Sequence, residues 1–220
     1  MAYGVSVEVW GDYALFTRPE LSVERMSYDV MTPSAARGLL ESIYWHPGMR
    51  YIIDRIHVLN PIRFTNVRRN EVKSKALAST MRRAITNGGE LPYLNTKEDI
   101  QQRASLVLTD VRYVIDAHFD LTDKAKPEDN PGKFKDIIKR RLERGQCYSM
   151  PYFGTREFPA HFKTAPDEVL AGFYTDSGER DLGLMLYDMD YSDTSNITPL
   201  FFRAVMHDGV VRVEGNEVFR

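Results

Sequence analysis

The chain has 220 residues, of which 43% are hydrophobic and 27% charged, with a formal net charge of −2. This is the composition of an ordinary globular protein, and the length supports one large domain or two small ones around a real core. The lone Cys147 excludes an internal disulfide and any multi-cysteine zinc centre, and no apolar run reaches the ~20 residues of a membrane span. With no basic-then-apolar leader pattern at the N-terminus, the expectation is a cytoplasmic protein without a membrane partner.

In chain order, Tyr3 to Trp10 alternates Tyr3, Val5, Val7 and Val9 with smaller or polar residues, which predicts a half-buried strand broken at Gly11-Asp12. Tyr13 to Phe16 leads into a loop closed by Pro19. A helix is predicted after Thr32, a good N-cap followed by Pro33 at the first helical position, and it runs to Trp45. Ala36, Leu39, Leu40 and Ile43 make its apolar face, and His46-Pro47-Gly48 ends it. Tyr44, Trp45 and His46 therefore collect at a helix end, where a polar aromatic pair is expected to face outward. Tyr51 to Leu59 reads as the second strand, stopped by Asn60-Pro61.

Residues 60–105 look like a basic insertion or hairpin arm. Ile62 to Arg69 is predicted extended, Glu71 to Ile85 is predicted as a short helix, and Asn87-Gly88-Gly89 is a stop. Between Arg50 and Arg83 stand nine Lys or Arg against Asp54 and Glu71, a local charge of +7 that leaves −9 for the rest of the chain. Such segregation repels itself and points to a polyanionic partner such as a nucleic acid, RNA or DNA, the alternative being a solvated positive face balanced by the acidic part of the same fold. Arg55, Arg63, Arg68, Arg69, Lys73 and Lys75 are the predicted phosphate contacts.

Leu106 to Leu121 resumes as a long strand with an expected bulge near Thr109. Asn130 caps a helix opened by Pro131, with Phe134, Ile137, Ile138 and Leu142 as its buried stripe and Gly145 as its stop. Cys147 to Phe153 is predicted as a further strand. The resulting order over residues 1–153 is βαββαβ, the ferredoxin-like or RRM-like unit, in which both helices cover one face of an antiparallel sheet. The uncovered face is free for a ligand, often RNA. Residues 154–220 read as a small, mainly β domain with strands at Leu182–Tyr187, Leu200–Met206 and Val210–Val213, the last two joined by an Asp208-Gly209 hairpin turn. The expected fold class is α+β.

Four runs are distinctive: V-E-V-W-G-D-Y-A-L-F-T-R-P-E, S-Y-D-V-M-T-P-S-A-A-R-G-L-L-E-S-I-Y-W-H-P, L-N-P-I-R-F-T-N-V-R-R-N-E and Q-Q-R-A-S-L-V-L-T-D-V-R-Y-V-I-D-A-H-F. With Y-F-G-T-R-E-F and A-V-M-H-D-G further on, the chain resembles the Cas five-d family of subtype I-C (Dvulg) CRISPR systems along essentially its whole length. The resemblance implies a member of the RAMP superfamily that cuts precursor RNA at the base of the repeat hairpin without a metal or other cofactor. It also implies a protein that stays on the 5′ tag of the guide, beside the other subunits of the type I-C surveillance complex.

RNA carries its own nucleophile, the 2′-hydroxyl, so such an enzyme needs a base, an acid and a group to stabilise the phosphorane. Products are a 2′,3′-cyclic phosphate and a 5′-hydroxyl. The resemblance associates cleavage with a Tyr at the end of the first helix, matched by Tyr44, and a His in the A-H-F strand, matched by His118. It also implies a nearby Lys, but Asp116 and Ala117 stand where that Lys is expected. Lys124, Lys126, Arg112 or His46 are the available substitutes. Tyr44 and His118 are expected to converge, with His118 as proton carrier. Taken alone, without the resemblance, Tyr44 reads first as a core-edge tyrosine and His118 as a structural histidine. Gly154-Thr155-Arg156 is a candidate phosphate loop, which adds Arg156 to the RNA contacts. Asp188, Asp190 and Asp193 do not make an EF-hand, because Asp193 occupies the glycine position. The alternatives are a non-catalytic scaffold on the guide's 5′ tag and a metal-dependent DNA nuclease.

Overall fold

The longest element in the computed structural model is a 22-residue strand that pairs with four others; the structure describes residues 4–21, 23–90, 92–166 and 171–220. Tyr3 lies outside the described residues. The first strand, β1, covers Gly4–Ala14, followed by a single 3-10 turn at Pro19–Leu21 and a two-residue strand β2 at Arg25–Met26. Helix α1 is Pro33–Ile43, and β3 is Met49–Val58. Strand β4 is Phe64–Val72, helix α2 Ala78–Asn87, strand β5 Ile100–Leu121 and helix α3 Pro131–Arg144. Then come β6 (His161–Thr164), β7 (Glu179–Asp190), β8 (Thr198–His207), β9 (Val210–Arg212) and β10 (Val218–Phe219).

The strands join in one sheet of order β10-β8-β9-β3-β5-β1-β6, with β7 on β8 and with β2 and β4 on β5. Apart from β2, which is parallel to β5, the pairings are antiparallel. Strand β1 is not broken at Gly11-Asp12. Its ladder with β5 keeps register across them, from Gly11↔Val111 to Tyr13↔Thr109. Gly11 serves close approach instead: a Cβ there would sit 2.9 Å from both the Phe153 ring and the Pro159 carbonyl oxygen.

The basic insertion is a hairpin arm. Strand β4 pairs with the N-terminal half of β5 from Phe64↔Leu108 to Val72↔Ile100, while β3 pairs with the C-terminal half from Val58↔Tyr113 to Met49↔Leu121. The same edge of β5 thus changes partner near Asp110, whose φ is 51°. The bulge expected near Thr109 is this left-handed residue, not an inserted one. The β4 ladder also explains why the helix starts at Ala78 and not at Glu71: residues up to Val72 are committed to strand pairing. Helix α2 buries no residue.

Both other helices follow their sequence signals. The Thr32 hydroxyl accepts from the Ala35 amide, and the Asn130 side chain accepts from the Lys133 amide, as N-caps do. Ala36, Leu39, Leu40 and Ile43 of α1 and Phe134, Ile138 and Leu142 of α3 are buried over β1, β3 and β5. Their burial, at ~1.5–3 kcal/mol for a large aliphatic or aromatic side chain, is what holds the helices on one face of the sheet. Helix α1 ends at Ile43, short of Trp45, because Tyr44 is extended (φ −149°, ψ 125°).

Cys147 to Phe153 is not a strand. Tyr148 and Ser149 donate their amides to the Ser42 carbonyl, one of the carbonyls left open at the end of α1, so this segment caps a helix and joins no sheet. The strand beside β1 is β6, with Trp10↔His161 and Val7↔Thr164. The Asp208-Gly209 turn joins β8 and β9 as expected, with both residues at positive φ. Strand β9 in turn pairs with β3, carrying the C-terminal strands into the same sheet.

Candidate functional site

The end of α1 sends two consecutive side chains in opposite directions, since an extended backbone alternates them. Tyr44 turns inward and is 7% exposed, whereas Trp45 is 58% exposed. The expected outward-facing pair is therefore one buried and one open ring. Tyr44 lies against Phe134 of α3 with ring centroids 6.4 Å apart, and the Arg141 guanidinium stands 5.1 Å from its ring centre. Arg141 also donates to the Ile43 carbonyl, and Tyr51 donates to the Tyr44 carbonyl at 2.9 Å. These bonds pin the helix end from both sides.

His46 packs on the same Phe134, with centroids 5.1 Å apart and the rings tilted by 39°. Its Nδ1 accepts from the Gly48 amide at 3.0 Å and lies 3.8 Å from Asp129 Oδ2. A neutral imidazole held this way carries its proton on Nε2. Asp129 is buried at the start of α3, where it accepts from Lys133 Nζ at 2.9 Å and from the Lys126 amide at 3.0 Å. The hydrogen bond from Lys133 holds the Asp129 carboxyl below its usual range, and the same bond raises Lys133. Burial pushes the Tyr44 phenol up, against the pull of Lys133 and Arg141. Lys124 is exposed in the loop after β5, where Thr122 donates its hydroxyl to the Pro47 carbonyl and its amide to the Gly48 carbonyl. A tyrosine, a histidine, two fixed cations and a Lys-bearing loop therefore meet at one junction.

His118 is elsewhere. Its neighbours in β5, Ala117 and Phe119, are buried on the helix-covered face, so strand alternation puts His118 on the opposite face. The expected convergence of Tyr44 and His118 does not occur, because a sheet layer separates them. There His118 Nδ1 donates to Asp54 Oδ1 at 2.7 Å, and its Nε2 lies 4.0 Å from Asp120. Burial raises the Asp54 carboxyl, against the hydrogen bond from His118. A parallel group lies beside it, with Asp116 accepting from His57 at 2.9 Å and Ser6 at 2.7 Å. Burial opposes the charge on Asp116, but those two bonds outweigh it and keep the carboxyl below its usual range.

The predicted phosphate contacts are dispersed. Arg63, Arg68, Lys73 and Lys75 are exposed along the arm. Arg69 points to the other side of β4 from Arg68, pairs with Glu157 and stacks over Phe158, so it ties the arm to the 154–158 loop. Arg55 leans on Asp116 at 3.4 Å on the open sheet face. Arg156 is exposed and lines a groove beside Trp45. Gly154 has a packing role: at φ 79° its Cβ would overlap the Leu15 carbonyl oxygen.

Sequence reasoning missed Asp129, Lys133 and Arg141. One signal was available. Lys133 sits in the first turn of α3, where the helix dipole disfavours a cation, and Asp129 is the local compensation. Among the described residues no group of three His, Cys, Asp or Glu is arranged to hold a metal ion. No helix among them is long and apolar enough to cross a membrane.

The family model described as CRISPR-associated protein (Cas_Cas5), of the Cas5d type, matches residues 4–214. A protein of Mannheimia succiniciproducens named CRISPR pre-crRNA endoribonuclease Cas5d is 46% identical over 217 residues, covering 97% of this chain and 96% of its own. A protein of the same name from Thermus thermophilus is 41% identical over 199 residues, covering 90% and 79%. Among solved structures, a CRISPR-associated protein superposes with a TM-score of 0.71 at 23% identity, covering all of this chain and 97% of its own. A functionally uncharacterized Streptococcus mutans protein, SMU1763c, gives 0.70 at 22%, again over all of this chain and over 98% of its own. These two show a shared fold, mixed α/β and dominated by an antiparallel sheet. By its sequence from Gly4 to Glu214, the chain belongs to the Cas5d family of CRISPR-associated proteins.

Proposed function

We propose that this protein is a metal-independent endoribonuclease that cuts CRISPR precursor RNA at the base of the repeat hairpin and remains on the 5′ tag of the guide. The 46% identity over nearly the full chain to a relative named as a pre-crRNA endoribonuclease supports the activity. The observation that carries the chemistry is the meeting of Tyr44, His46, Lys133 and Arg141 at one helix junction.

Each group has a part in the displacement. The 2′-oxygen attacks phosphorus as it gives its proton to water, the bond from phosphorus to the 5′ oxygen breaks, and that oxygen takes a proton from water, so the step is proton-neutral. Lys133, kept charged by Asp129, and Arg141 stabilise the phosphorane. The Nε2–H of His46 donates a hydrogen bond to the 5′ oxygen as it leaves and water supplies its proton. Tyr44 orients the 2′-hydroxyl; its phenol, pushed up by burial, is neutral near pH 7 and acts as a hydrogen-bonding group. Lys124, in the adjoining loop, reaches the flanking phosphate. His118 takes a structural role with Asp54 in this reading.

The strand order β6-β1-β5-β3 with α1 and α3 on one face supports a ferredoxin-like unit. Its fourth strand is best drawn from β6, which moves the boundary with the C-terminal β lobe from residue 153 to about Thr164. The exposed cations of the arm face the RNA. The other type I-C subunits are the protein partners in this reading.

The test is to incubate the purified protein with its repeat RNA in excess EDTA, using a normal substrate and one with a 2′-deoxy sugar 5′ to the scissile phosphate. A single cut in the first and none in the second is expected. Equal cutting of both refutes attack by the 2′-hydroxyl; tight binding without cutting favours the scaffold role.

A further inference from the structure

Beside the catalytic junction lies a groove of about 690 Å³, within the ~300–1,000 Å³ typical of small-ligand sites. One wall is the last turn of α1 with Trp45, and the other is the segment after α3 with Tyr148, Met150, Tyr152 and Arg156. Trp45 is 58% exposed, Tyr148 84%, Met150 67% and Tyr152 39%. A single exposed ring is common on soluble proteins, but three rings and a methionine lining one concavity are not.

The groove is a built feature. The amides of Tyr148 and Ser149 are bound to the Ser42 carbonyl, which fixes one wall to the other. Arg156 has no acidic partner among the described residues, while neighbouring Arg69 is paired with Glu157. The result is a set of π-faces with one free cation beside them, while the carboxylate of the lining, Glu41, is held by Arg37 at 2.7 Å. Trp45 is also the residue after Tyr44, so the groove opens one residue from the reacting centre.

Resting on the endoribonuclease reading above, we infer that this groove seats an unpaired nucleobase of the RNA flanking the scissile phosphate, stacked on Trp45 with Tyr148 and Tyr152 around it and Arg156 on its phosphate. Single-stranded RNA is recognised in this manner, by stacking of splayed bases on aromatic side chains and by a cation tracking the backbone. A base held there lifts the strand off the hairpin stem and presents the adjacent phosphate to Tyr44 and Lys133.

The experiment measures affinity by fluorescence anisotropy with a 2′-deoxy, non-cleavable repeat RNA carrying its natural unpaired flank, and with the same RNA made abasic at the flanking nucleotides. Trp45→Ala is expected to weaken binding of the first by about tenfold or more, the scale of one base–aromatic stack, and to leave the second unchanged. Trp45→Phe should retain most of the affinity. Tyr148→Ala, at a position too exposed to affect folding, should act in the same direction. Wild type that binds the hairpin tightly but shows no dependence on Trp45, or a loss that is equal on the abasic RNA, overturns the inference and leaves the nuclease reading standing. Wild type that binds no repeat RNA overturns both. If Trp45→Ala leaves RNA affinity intact but releases other subunits from the purified complex, the groove is a protein contact and the inference fails.

Discussion

Replacing Lys133 with Gln removes a cation while keeping a side chain of similar length at the start of α3. Lys133 Nζ is fixed 2.9 Å from Asp129 Oδ1, so its position is set before RNA arrives and no reorganisation is needed as the phosphorane forms. Loss of one pre-positioned donor to a developing oxyanion costs about 10²–10³ in rate, or ~2.7–4 kcal/mol. Arg141, near the Tyr44 ring, remains to share the charge, so the lower end, about 10²-fold, is expected. Asp129→Asn should slow cleavage less, because the lysine persists but is no longer held. The assay is single-turnover cleavage of repeat RNA at saturating enzyme, with affinity measured separately on the 2′-deoxy substrate. Slower cleavage with affinity changed only a few-fold supports the assignment. Cleavage by Lys133→Gln at the wild-type rate refutes it, and a loss confined to binding makes Lys133 a phosphate anchor.

Other outcomes follow from the same geometry. Tyr44→Phe and His46→Gln should each slow cleavage by roughly 10²-fold, whereas His118→Ala should cut within a few-fold of wild type but melt at a lower temperature, since Asp54 loses its partner; a cleavage-dead His118→Ala with unchanged melting would return catalysis to the open sheet face. Alanine at Arg68, Lys73 and Lys75 together should flatten the salt dependence of RNA binding by up to ~0.7 log units for each phosphate no longer neutralised, read from binding isotherms between low and moderate salt. Gly154→Ala should lower the melting temperature sharply, because positive φ and the Leu15 carbonyl both oppose a Cβ; an unchanged melting curve would contradict the packing described. Asp129 has its carboxyl depressed in the folded state by Lys133, so it contributes stability above the unfolded value near 3.8 that is lost as pH falls through the lower folded value. Melting temperature followed from pH 5 to 2 should therefore fall less steeply in Asp129→Asn than in wild type.

Local signals determined much of this protein in advance. The N-caps at Thr32 and Asn130, the stop at Gly145, the apolar stripes of α1 and α3 and the Asp208-Gly209 turn all act within a few residues, and each appears where the sequence puts it. The charge of the arm and the runs that place the chain in its family were equally legible. Tertiary structure decided what depends on distant partners. Cys147–Phe153 has strand-like composition, yet the amides of Tyr148 and Ser149 go to the open carbonyls of α1, and β6 takes the sheet edge. Gly11 looks like a breaker but is required by the Phe153 ring beside an unbroken strand.

The site divides along the same line. Tyr44 and His46 are two residues apart, and their place at a helix end is readable from Pro33 and Pro47. Asp129 and Lys133 join them from more than 80 residues away, through the packing of Phe134 under both rings, which no spacing rule reports. His118 separates from Tyr44 for a reason of parity. Strand side chains alternate with period two, so the single residue between Ala117 and Phe119 faces away from the helices, and only the pairing of β5 with β1 and β3 fixes which face that is.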